Sequence, residues 1–89
     1  MDATAEELAT LPHFWLSFAD SKGFRGVAIV PGDSLITAVM CSHSLRVNPG
    51  GQVVGVPIDR DRFIRIPERY RHRLLTRAEC ETLNREMMS

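Results

Sequence analysis

FWLSFADSKGFRGVAIVPGDSLITAV, residues 14–39, places two apolar runs, a polar turn and a helical stripe in direct succession. FWLSFA (14–19) is rich in aromatic residues and reads as a strand crowded enough around Phe14, Leu16 and Phe18 to be buried on both faces. DSKG (20–23) has turn chemistry, and FRGVAIV (24–30) is a second β-rich run, so the two predict an antiparallel hairpin. A helix over 33–46 follows. Its apolar residues Leu35, Ile36, Val39 and Met40 recur at helical period and predict one stripe against the sheet.

Outward from this unit, NPGG (48–51) stops the helix, since Pro49 and two glycines forbid continuation. QVVGVPI (52–58) predicts a third strand with Val54, Val56 and Ile58 on one face. Pro57 places it at an edge, because proline has no N–H for a second neighbour. Residues 59–66 read as an extended arm, followed by a short helical turn opened by Pro67. Thr76 and Glu79 have capping-box spacing and start a last helix reaching about Met87, with a narrow stripe of Cys80, Leu83 and Met87. Upstream, Thr4 and Glu7 have the same spacing, so residues 1–12 are expected to be flexible or a short helix. Residues 13–89 then make one α+β domain. It consists of a three-stranded, mainly antiparallel sheet with one main helix packed on it and a C-terminal helix.

The four letters GDSL (32–35) also mark the nucleophile of a family of serine hydrolases, and here they do link a strand to a helix. A serine nucleophile needs a base in hydrogen-bond reach and a third group to orient that base. The D-x-x-H that supplies both in that family is missing, and 89 residues are too few for its parallel sheet. Asp33 and Ser34 are better read as helix caps, with the esterase a remote alternative. Cys41 and His43 on adjacent helical turns are too few for a zinc site. No catalytic residue, metal or cofactor is expected.

Composition is that of an ordinary globular chain, with 44% hydrophobic and 25% charged residues and no formal net charge. A neutral whole argues against a surface devoted to duplex nucleic acid or membrane, and no apolar run approaches the ~18–20 residues that cross a bilayer. So small a chain has a thin margin of stability, which homo-oligomers commonly relieve. Cys41 and Cys80 lie on separate predicted helices. With no signal peptide in the reading, a reduced pair and a cytoplasmic location are expected.

Charge is unevenly spread. Residues 59–77 hold seven arginines against Asp59, Asp61 and Glu68, a local surplus of four, and ten of the eleven basic residues are Arg. Arginine's planar fork grips carboxylate and phosphate in bidentate fashion, which an ammonium cannot. Gly50 and Gly51 allow backbone N–H groups to approach an anion closely. A ligand-binding site built from Asn48, Gly50, Gly51, Arg60, Arg62, Arg65, Arg69, Tyr70 and Arg73 is therefore expected, with Tyr70 or Trp15 offering a stacking surface.

The order F-W-L-S-F-A-D, G-V-A-I-V, helix, N-P-G-G-x-V-x-G and I-P-E-x-x-x-x-R-L-L-T-R-x-E over residues 14–83 resembles a family of small uncharacterised proteins of bacterial and phage genomes. The resemblance implies a stand-alone protein in a phage or mobile-element setting, with no settled activity to carry over. Small phage proteins of this kind often act by binding. The leading expectation is sequestration of an anionic, nucleotide-like small molecule. The alternative is a protein–protein inhibitor of a host defence or regulatory complex.

Overall fold

The computed structural model describes residues 12–88, so the expected helix or flexible stretch before Pro12 lies outside the described residues. β1 (His13–Asp20) and β2 (Gly23–Pro31) form the expected antiparallel hairpin, with His13 opposite Pro31 and Asp20 opposite Gly23. β3 (Gln52–Ile58) pairs antiparallel with the other side of β1, so that Val54 faces Ser17 and Val56 faces Trp15. The sheet has four strands rather than three. Leu74–Leu75, too short to show any periodicity, forms β4 against Val27 and Ala28, giving the order β3-β1-β2-β4.

Strand β2 explains the layering. Val27, Ala28, Ile29 and Val30 are all buried, so both faces of the sheet need cover. On one face, Ala28 and Val30 join Leu16 and Phe18 under α1 (Leu35–Ser44), which contributes Ala38. On the other, Val27 and Ile29 meet Phe63, Ile66, Tyr70, Leu75, Cys80 and Leu83. These come from α2 (Arg60–Arg65), a 3-10 turn (Glu68–Tyr70), β4 and α3 (Arg77–Met88). The result is a sheet between two helical layers.

Two corrections follow. The extended arm expected over 59–66 is largely helical. Asp59 accepts from the Arg62 N–H at 2.8 Å and so caps a six-residue α2. That length is below what hydrophobic periodicity can reveal. The Arg71 guanidinium closes the far end of α2, donating to the carbonyls of Ile66 (2.9 Å) and Phe63 (3.2 Å) while lying 4.3 Å over the Phe63 ring. The second correction concerns α1. Ala38 and Ser42 face the sheet, whereas Ile36 and Met40 of the expected inner stripe are 73% and 64% exposed.

The caps expected at Ser34 and Thr76 both form, while the Thr4–Glu7 pair lies outside the described residues. Ser34 accepts from the Thr37 N–H while Thr37 accepts from the Ser34 N–H, a reciprocal box at the start of α1. Thr76 and Glu79 do the same at the start of α3. Between α1 and β3 the backbone turns through Gly50 and Gly51, at φ +86° and +85°. A Cβ on Gly51 would collide with the Ala19 carbonyl oxygen, so this residue must be glycine for β3 to start beside β1.

Replacing Ser34 by alanine removes one half of the box, and chemical denaturation should show a loss of about 1 kcal/mol. Gly51→Ala combines the unfavourable φ with the collision and should lower stability by about 2 kcal/mol or more. The same denaturation series measures both.

Candidate functional site

The start of β3 and the start of α2 lie at opposite ends of one strand. Seven residues of β3 separate them, roughly 20 Å of extended chain. The structure therefore does not bring Asn48, Gly50 and Gly51 together with the arginines within one chain. Asn48 serves its own loop: its Nδ2 donates to Ser42 Oγ at 3.0 Å and its Oδ1 accepts from the Gly50 N–H at 2.7 Å. The two glycines follow the turn geometry just described, which needs no ligand.

The arginines divide into two groups. Arg69 pairs with Glu86 at 3.1 Å and lies 4.6 Å over the ring of buried Tyr70. Arg73 pairs with Glu79 and also lies over the Tyr70 ring, 6.0 Å from its centroid. Hydrogen bonding from Arg73 is the main reason that the Glu79 carboxyl stays below its usual pKa. Arg69, Tyr70 and Arg73 thus tie the 3-10 turn to α3. Arg60, Arg62 and Arg65 belong to the other group, on exposed α2. Arg62 has a partner in Asp59 at 3.7 Å with both side chains more than half exposed, a pair worth ~0–1 kcal/mol. Arg65 donates to the Met87 carbonyl at 3.1 Å near the end of α3.

Arg62 and Arg65 flank a groove of about 460 Å³ that the sequence did not reveal. Its walls are Trp15, Val56, Pro57 and Ile58 from the sheet, Ile66 after α2, and Leu83, Asn84 and Met87 from α3. Most of the lining is apolar, with Arg62, Arg65 and Asn84 as its polar members. Trp15 is half-buried, packed against the core on one side and lining the groove on the other. Only the arginines carried a signal in the sequence. The rest of the lining is contributed by residues far apart in the chain, from the sheet, the end of α2 and α3.

A second polar feature lies at the same end of the sheet. His13, 1% exposed, stacks on the Phe63 ring with centroids 3.7 Å apart. Its Nε2 lies 3.1 Å from Nε2 of His72. One nitrogen must donate and the other accept, so the contact excludes a proton on both. Burial, and secondarily the Arg71 charge, push the His72 pKa down. Cys41 and Cys80 are free thiols whose pKa values burial raises, which disfavours the nucleophilic thiolate. The Ser34 hydroxyl lies 3.0 Å from Thr37 Oγ1 in the cap. Among the described residues no group of three or more His, Cys, Asp or Glu side chains could hold a metal ion. Among them, too, no helix is long and apolar enough to cross a membrane.

Set beside family models, curated proteins and solved structures, the chain matches none.

The histidine pair gives stability a pH dependence. His72 resists protonation in the fold but accepts a proton near its ordinary pKa of 6.5 once unfolded. The unfolded state therefore binds more protons below that pH, and stability falls as pH drops through about 6.5. Urea midpoints at pH 7.5 and 5.5 should show the loss. His72→Asn, which tolerates the positive φ at this position, should flatten it.

Proposed function

We propose that the chain is a non-enzymatic binding protein whose groove takes an anionic, nucleotide-like small molecule. The observation that carries this reading is a groove whose lining combines apolar residues, Trp15 among them, with Arg62 and Arg65. A flat ring buries against the indole and neighbouring aliphatic side chains, gaining stacking and apolar contact. The phosphate replaces the weakly held Asp59 as the partner of Arg62, a bidentate exchange that guanidinium geometry favours. A volume of about 460 Å³ lies within the ~300–1,000 Å³ range of small-molecule sites. Among the polar groups lining the groove, none is arranged as a nucleophile with its base, which is why binding rather than turnover is the reading. A sequestering protein of a phage or mobile element, acting in the cytoplasm, agrees with the resemblance of residues 14–83.

Calorimetry against mono-, di- and cyclic nucleotides should find at least one that binds and quenches the single tryptophan. Arg62→Ala should then weaken binding about 10- to 100-fold, the worth of a charge-assisted hydrogen bond. Millimolar nucleotides that produce neither heat nor a change in fluorescence would rule the reading out.

A further inference from the structure

Among the described residues β3 is hydrogen-bonded on one side only, to β1, and its seven residues QVVGVPI include no charged side chain. Natural edge strands are usually blunted by charge, by shortness or by cover, because their free N–H and C=O groups invite another strand. The opposite edge, β4, is blunted by its two-residue length. β3 is instead flanked by exposed apolar groups on both faces of the sheet. Val54 and Val56, 67% and 54% exposed, stand on the α3 side. On the α1 side, Leu35 lies against Gly55. Ile36, Met40 and His43 follow at i, i+4 and i+7 along one flank of α1. Asn48, in the loop that enters β3, contacts both Ser42 and His43 of α1, which sets the His43 end of this flank beside that loop.

We infer that β3 is the seam of a homodimer, with the β3 strand of a second copy pairing antiparallel across a twofold axis at Gly55. Pro57 fixes the register of free groups. Lacking an N–H, it cannot make a reciprocal pair with Phe14 of β1, its partner in the sheet. Its backbone and that of Val53 and Gly55 therefore point outward, since orientation alternates along a strand. With the axis at Gly55, the two Gly55 residues exchange both N–H···O=C bonds. Each Val53 N–H meets the Pro57 carbonyl of the partner subunit, where no donor is required in return. Each Val54 then faces Val56 of the partner subunit, an apolar pair on the α3 side. On the α1 side the Ile36–Met40 flanks of the two copies approach over the seam. A one-residue slip of the axis toward Val54 would put Val56 opposite Gln52 and lose that match.

The area supports a second copy as the occupant. Leu35, Ile36, Met40, Val54 and Val56 together offer about 300 Å² of apolar surface per copy, at ~100 Å² for each fully covered side chain. Doubled, this is about 600 Å², which at the ~56–65% apolar share of such interfaces corresponds to roughly 1,000 Å², a small specific assembly. A self-complementary strand also satisfies the isologous rule that the same patch serves both partners. The inference does not depend on what the groove binds.

Sedimentation equilibrium of the full chain tests it. The wild-type protein should behave as a dimer of the 10.0 kDa chain at micromolar concentrations. Val54→Lys, at an exposed position, should keep the wild-type circular dichroism and raise the dimer dissociation constant at least tenfold. Ile36→Glu should weaken the dimer independently from the other face. The inference is overturned if the wild-type chain stays monomeric at 0.5 mM, or if Val54→Lys dimerises as strongly as wild type. A monomer that takes up an extended apolar peptide along β3 would likewise overturn it, in favour of a peptide-binding edge.

Discussion

The fold depends on burying both faces of β2. Four consecutive apolar residues in a strand cannot be satisfied by a single helical layer, because alternate side chains point to opposite sides. The chain covers one face with α1 and assembles the cover of the other from three pieces, α2, the 3-10 turn and α3. Short pieces leave helix ends inside or near the core, and the carbonyls at those ends need partners. Arg71 supplies them at α2 with one side chain, while its planar group also roofs the Phe63 ring on which His13 stacks. The arginine bias of the segment is in part the consequence of this patchwork construction.

Local chemistry was the most legible layer of the sequence. The hairpin from DSKG, the caps at Ser34 and Thr76, and the edge position marked by Pro57 all rest on interactions within a few residues, and each is present. Elements below the length of a periodic pattern were not legible: α2, signalled by Asp59 alone, and β4, two leucines held by β2. The inward face of α1 was misread for another reason. Periodicity identifies apolar stripes but not which of two is chosen, and the close approach of helix to sheet favours the small Ala38 and Ser42 over Ile36 and Met40. An apolar stripe left outside is the sequence signature of a surface still to be covered.

The candidate site shows the same division. Its arginines were visible as a compositional anomaly, but the grouping was not, since Asn48 and Arg62 are close in sequence while β3 holds them apart. Trp15, Leu83 and Met87, distant along the chain, line one groove with Arg62 and Arg65 because α3 packs across the same face of the sheet. A groove made at the junction of separate elements has no local pattern to betray it. The hydrolase letters GDSL illustrate the reverse case, a complete local pattern whose chemistry is absorbed by a helix cap.

The two-sided cover has a last consequence for the thiols. Cys41 belongs to the α1 layer and Cys80 to the α3 layer, with the sheet between them. A disulfide requires Cα atoms within about 7 Å, so the fold itself forbids an internal bridge. Oxidation can neither lock this domain nor rearrange it from within. A disulfide open to it without unfolding is between molecules, through the less buried Cys41.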